Sequence, residues 1–260
     1  MRPPSDSSSR RARTGTPVLH AEHGELTFSF GDGTVQSRTL EADPTWLVLE
    51  YTRLMMGFLL LHPAPERVAM IGLGGGSLVR YFARLLPDVD LTTIEIAPEV
   101  IALRDRFGIP PDGPRFRILC EDGNAFVRRD GPPLDVLLVD GFDREGQPEE
   151  LCSAAFYDAC RERLAPDGLL VVNLHAEDAA HVARIGRIRD AFAGRIVAIE
   201  ADNSENEIVF ASARSPFPPP FGVLVERLRA LDATHPVGLD AILRKIAQHG
   251  ERRPASTRRR

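Results

Sequence analysis

Between Arg67 and Asn173 short apolar runs alternate with glycine- or acid-bearing turns and with segments whose apolar residues recur every three or four positions. Few architectures accept that order. The runs at 67–71, 90–94, 115–120, 134–139 and 168–173 are almost continuously apolar, as strands buried on both faces are. Between them Leu78, Phe82 and Leu85, then Val100, Leu103 and Phe107, then Phe156, Cys160 and Leu164 keep helical spacing. Strand, crossover helix and next strand form the βαβ unit, so the repetition predicts an α/β fold with a doubly wound sheet. A helix carrying Val182, Ile185, Ile188 and Phe192 is followed by two more strands, near 195–200 and 206–211. Their short linker, Asp202 to Glu205, predicts an antiparallel pair at the edge of the sheet.

The flanks are read the same way. Apolar and polar residues alternate from Val18 to Arg38 on either side of Gly31-Asp32-Gly33, which predicts a β-hairpin turning at those glycines. Trp46, Leu49, Leu54, Met55, Phe58 and Leu59 predict one buried helix over 45–61, ending at His62-Pro63-Ala64-Pro65. Pro216 to Pro220 is a stiff connector, and 222–249 reads as two terminal helices. The ends, 1–16 and 250–260, are Arg-rich without apolar periodicity and are expected to be disordered tails. The expected organisation is therefore a tail at 1–16, a hairpin element at 17–44, a Rossmann-like catalytic domain at 45–249 and a basic tail at 250–260.

Charge is unevenly spread. The net −5 includes +3 from residues 1–16 and +4 from 251–260, which leaves −12 for residues 17–250. An acidic body argues against nucleic acid as a partner and favours a small cationic molecule. The charge-free stretch around the most apolar segment, Leu54 to Pro65, is twelve residues, too short to cross a bilayer, and Met1 to Thr16 has no apolar segment of the kind a leader needs. Three cysteines, Cys120, Cys152 and Cys160, include no C-x-x-C pair, and the histidines show no metal-ligand spacing. A cytoplasmic chain with no metal and no prosthetic group is expected.

The chemistry gathers at the carboxyl ends of the strands, where open α/β sheets bind ligands. Val68 to Ser77 runs from a strand through Gly72, Gly74 and Gly75 into a helix, an arrangement that lets a ligand touch backbone N–H groups. Glu95 closes the next strand, where a carboxylate can accept both hydroxyls of a ribose. Ser77 stands where a dinucleotide fingerprint has its third glycine, so NAD is disfavoured. Asp122, with Gly123, ends the third strand; it can receive an adenine amino group or cap the helix starting near Asn124. Asp140 and Asp143 follow the fourth strand. One can take a proton from an attacking amine and the other hold a second ammonium. His175, after the fifth strand, faces the same edge and reads more simply as a polar loop histidine than as a base.

In order and spacing, Val68 to Ser77, Ile94-Glu95-Ile96, Glu121-Asp122-Gly123 and Leu134 to Asp143 resemble the polyamine aminopropyltransferases, the spermidine synthase family. The resemblance covers about residues 25–212. It implies a doubly wound sheet of the S-adenosylmethionine methyltransferase type, a small N-terminal β element, often a homodimer, and decarboxylated S-adenosylmethionine as aminopropyl donor with a diamine as acceptor. By this likeness Glu95 binds ribose, Asp122 and Gly123 contact adenine, Asp140 is the catalytic acid and Asp143 binds the diamine. Gln36 resembles the glutamine after the family's N-terminal hairpin, a substrate-binding residue that lies against the donor. The chain departs from the family in an abbreviated N-terminal hairpin, where the usual oligomer contact lies, and in three motifs. Gly-Leu-Gly-Gly-Gly-Ser replaces Gly-Gly-Gly-Asp-Gly, Asp140-Gly141-Phe142-Asp143-Arg144 replaces Asp-Ser-Ser-Asp-Pro, and Tyr51-Thr52-Arg53 stands for Tyr-His-Glu. An S-adenosylmethionine-dependent methyltransferase and a catalytically idle nucleotide-binding protein are the competing expectations.

Overall fold

The structure is a computed structural model that describes residues 18–29, 35–143 and 146–251. Strands β1 (Val18–Glu22), β2 (Glu25–Ser29) and β3 (Val35–Leu40) form an antiparallel sheet in that order. The single hairpin expected here has gained a strand. His23 (φ 50°) and Gly24 (φ 78°) both take positive φ, which makes the tight primed turn between β1 and β2. The turn expected at Gly31-Asp32-Gly33 lies outside the described residues, as do both Arg-rich tails apart from Gly250 and Glu251.

The rest follows in chain order: α1 (Glu50–Met55), α2 (Phe58–Leu61), β4 (Arg67–Ile71), α3 (Ser77–Leu85), β5 (Asp90–Glu95), α4 (Pro98–Ile101), β6 (Phe116–Cys120), α5 (Gly123–Arg128), β7 (Leu134–Val139), α6 (Ala154–Arg163), β8 (Leu164–His175), α7 (His181–Ala191), β9 (Ile196–Glu200), β10 (Asn206–Ser212), α8 (Phe221–Leu231) and α9 (Leu239–Glu251). Seven of these strands form one sheet, ordered β6-β5-β4-β7-β8-β10-β9. Neighbours from β6 through β8 run parallel, while β10 is antiparallel to both β8 and β9. The antiparallel pair expected at the edge is there. Among the described residues no helix is long and apolar enough to cross a membrane.

Each face of the sheet carries its own core, because successive strand residues point to opposite sides. Val68, Met70, Val136, Leu138 and Phe210 pack with Phe58 and Ile242 on one face; Ala69, Ile71, Leu137, Val139 and Val209 pack with Phe126, Phe156 and Ile188 on the other. At about 1.5–3 kcal/mol for each large apolar side chain fully removed from water, these two layers dominate the folding free energy.

Two expected helices are broken. The segment 45–61 divides into α1 and α2 at Gly57, whose N–H donates to Leu54 O (2.9 Å) in a tightened turn. Ile242 of α9 approaches so closely that a Cβ on Gly57 would lie 2.7 Å from its Cγ2. The helix expected across Val100, Leu103 and Phe107 is one turn, α4, continued by three-residue turns such as Leu103 N–H to Val100 O (3.0 Å).

Candidate active site

The strand order reverses between β4 and β7, since the chain moves outward through β5 and β6 on one side and through β8 on the other. Adjacent connections therefore diverge there and leave a crevice at the carboxyl ends of the strands. A cavity of about 420 Å³ occupies that place.

One half of the cavity is built by β4, β5 and β6. Gly72, at φ +98°, lets the chain leave β4 against β7; a Cβ on it would lie 2.2 Å from the Asp140 carbonyl oxygen. Gly72→Ala is expected to destabilise the fold by about 2 kcal/mol or more, from positive φ and backbone overlap together, read as a lower thermal unfolding midpoint. An unchanged midpoint would contradict this geometry. Gly74 has nothing within 4 Å of its missing Cβ and borders the cavity. The space beside Gly75 is taken by Ser37 Oγ of β3, 2.3 Å from where a Cβ would stand.

Arg80, buried on α3, ties this turn to its surroundings. It donates to Gly75 O (2.6 Å), Phe107 O (2.7 Å), Pro44 O (2.7 Å) and Thr39 Oγ1 (2.6 Å), so the N-terminal sheet is fastened to the glycine turn. Burial lowers its pKa to about 10, still a cation at neutral pH.

Glu95 is buried at the end of β5, where Oε2 accepts from Leu73 N–H (3.0 Å) and Oε1 from Ala97 N–H (2.8 Å). Burial raises its pKa, against the pull of those backbone donors. With backbone N–H groups on both oxygens, from Leu73 and Ala97 and a third from Ile96, the carboxylate is fixed at the cavity wall. Asp122 fulfils the capping reading, its Oδ1 accepting from Ala125 N–H (2.9 Å) at the start of α5, and it lines the cavity as well. Gly123 borders the cavity but packs on Ile71, whose Cγ2 would meet a Cβ at 2.6 Å.

The other half comes from β7, β8, β10 and α1. Asp140 is held at the end of β7 by its N–H to Ile71 O (2.8 Å). Its Oδ1 accepts from Asn173 Nδ2 (2.8 Å), its carboxylate also accepts from the Tyr51 hydroxyl, and Asn173 Oδ1 accepts from Asn206 Nδ2 (2.9 Å). Burial raises the Asp140 pKa while the Asn173 and Tyr51 hydrogen bonds pull it down. Burial and the neighbouring Asp140 charge drive the Tyr51 hydroxyl well above its usual pKa, so it remains a donor. Asp143 is buried on the same wall, its N–H donating to Gly146 O (2.8 Å). His175 is not a solvated loop residue: its ring stacks on Phe142, centroids 4.5 Å apart and planes at 28°.

Glu95, Glu121, Asp122, Asp140, Asp143 and Glu150 all line the cavity, and no Arg or Lys does so among the described residues. Such a wall favours a cation. No group of His, Cys, Asp and Glu suited to a metal ion occurs among the described residues. Gln36 sits on β3, but its side chain lies outside what is described. Tyr51, Asn173 and Asn206 are site residues that spacing alone did not single out. The available signal was polarity out of place, as in Leu170-Val171-Val172-Asn173-Leu174.

A seven-stranded sheet with this order and an acid-lined crevice at its switch point defines a Rossmann-like protein of the methyltransferase architecture. The architecture is shared with a probable spermidine synthase from Corynebacterium glutamicum (TM-score 0.69, 23% identity, covering 82% of this chain and 83% of that one). It is shared as well with human methyltransferase-like protein 13 in complex with SAH (TM-score 0.62, 21% identity, covering 76% of this chain and 93% of that one). In sequence, residues 49–183 match the spermine/spermidine synthase domain. A polyamine aminopropyltransferase from Neisseria meningitidis is 37% identical over 211 residues, covering 80% of each chain. The chain belongs to the spermine/spermidine synthase family.

Proposed function

We propose that the chain is an aminopropyltransferase that moves the aminopropyl group of decarboxylated S-adenosylmethionine to a diamine or related amine. The observation that carries this is one acid-lined cavity at the switch point, lined by residues from the ends of β4, β5 and β6 and by residues from β7, β8 and β10, with Asp140 following β7, the strand next to β4. In this reading the β4–β6 half takes the donor: Glu95 accepts the ribose hydroxyls, Asp122 and Gly123 border the adenine, and Gly72, Gly74 and Gly75 bring backbone close to the nucleoside. The β7–β10 half takes the acceptor, with Asp143 holding its distal ammonium, and Gln36 is a substrate-binding residue that lies against the donor. A cytoplasmic setting completes it, supported by three free thiols.

Asp140 is the base. An ammonium has no lone pair, so the acceptor must first give a proton to the Asp140 carboxylate. The freed amine then attacks the aminopropyl carbon next to the sulfonium. A C–N bond forms, the C–S bonding pair returns to sulfur as methylthioadenosine departs, and the product leaves as a secondary ammonium. A carboxyl pKa raised by burial narrows the gap to the amine and eases that proton transfer.

Because the Tyr51 hydrogen bond lowers the Asp140 pKa, Tyr51→Phe is expected to move the acid limb of the kcat/KM profile to higher pH. The sign is fixed: the base must be ionised, so activity falls as pH drops through the folded pKa, and a higher pKa brings that fall sooner. An acid limb that stays in place or moves down would contradict the assignment.

Product analysis tests the reading as a whole. Mass spectrometry after incubation with decarboxylated S-adenosylmethionine and a pool of amines should show an aminopropylated amine together with methylthioadenosine. A methylated product formed only from ordinary S-adenosylmethionine, or no product from either donor, would overturn it.

A further inference from the structure

Phe142 stands between Asp140 and Asp143 in the chain and lines the cavity as both acids do. The ring is not loose. It is stacked at 4.5 Å on His175 from the end of β8, so two strands hold it, and Asn206 of β10 stands opposite His175 in register. All of these belong to the β7–β10 half and none to the glycine turn or to Glu95.

Burial lowers the His175 pKa, which keeps its ring neutral at neutral pH and free of repulsion with a cationic guest. A neutral flat wall flanked by carboxylates suits an alkyl stem bearing ammonium groups, since the stem lies on the ring and each charge meets an acid or a ring face. The same wall takes up room. A benzyl side chain is bulkier than an aminopropyl unit, and where it is fixed by stacking it cannot swing aside for a longer guest.

Resting on the aminopropyl-transfer reading, we propose that the Phe142–His175 stack walls the acceptor half alongside the alkyl stem and narrows it, confining transfer to short diamines and excluding triamines. Phe142 and His175 are then specificity-determining residues.

The test is a comparison of kcat/KM for a four-carbon diamine and for the triamine made by adding an aminopropyl group to it, at saturating donor. Phe142→Ser should raise the triamine-to-diamine ratio about tenfold or more, as expected when space for several extra heavy atoms opens in a fitted pocket. The KM for the donor should stay within about twofold, because the donor half is untouched. Phe142→Leu, which keeps apolar bulk without a stacking face, should raise the ratio by a smaller factor and serves if the serine variant does not fold. A ratio unchanged in both variants, or a parallel loss on both amines, overturns the proposal. So does a wild-type protein that uses the triamine as well as the diamine, and in that case the activity reading stands. A wild-type protein that transfers to no amine removes both.

Discussion

Asp140→Asn is expected to lower kcat by about 10²- to 10⁴-fold, the usual worth of a positioned general base. The amide keeps an oxygen that can accept from Asn173 Nδ2 and from the Tyr51 hydroxyl, so the network Tyr51–Asp140–Asn173–Asn206 need not collapse. What disappears is the basic carboxylate. A protonated acceptor then has no group at the reacting end to take its proton, and only the minor fraction already unprotonated can attack. Donor binding should be nearly unaffected, since Glu95 is held by the Leu73 and Ala97 N–H groups and shares no hydrogen-bond partner with the Asp140 carboxylate, which is held by Asn173 and Tyr51. Steady-state rates and calorimetric titration with methylthioadenosine separate the two quantities. A fall in kcat below about fivefold would remove Asp140 from the role of base.

Glu95→Gln should act on the opposite quantity. Each carboxylate oxygen of Glu95 already accepts a backbone N–H, from Leu73 and from Ala97. An amide there sets a donor against one of those donors and loses the charge that strengthens hydrogen bonds to ribose hydroxyls. At about 1.5–3 kcal/mol for each hydrogen bond to a charged group, loss of one or two lowers donor affinity by about 10-fold to about 10⁴-fold. With enough donor present, kcat should largely recover. An affinity for methylthioadenosine changed less than about threefold would show that Glu95 does not hold the nucleoside.

Much of this was legible because burial leaves a periodic trace. Continuous apolar runs marked the strands of the central sheet, and the residues just after them marked its carboxyl edge, where Gly72, Glu95, Asp122, Asp140 and Asp143 do meet on one cavity. The short linker before Asn206 also marked the antiparallel pair. What escaped depended on partners distant in sequence. Local periodicity contains nothing about Ile242 pressing on Gly57, so one helix was expected where α1 and α2 form. Asp140 was readable as an acid, but its pairing with Tyr51 and Asn173, 89 and 33 positions away, exists only once α1 and β8 are packed beside β7. His175 reads as a loop residue until Phe142 is seen against its ring. The cap made by Asp122 shows the converse: a local pattern predicted it correctly while the same residue borders the cavity.

The central claim is that the two halves of this crevice hold a nucleoside thioether and an amine together, face to face across Asp140. A crystal structure of the protein soaked with methylthioadenosine and a diamine measures it directly. The account predicts the ribose hydroxyls on Glu95 and one amine nitrogen within hydrogen-bond distance of the Asp140 carboxylate, its alkyl stem along Phe142. A nucleoside bound away from Glu95, or an amine that reaches only solvent-side acids and never Asp140, would contradict it.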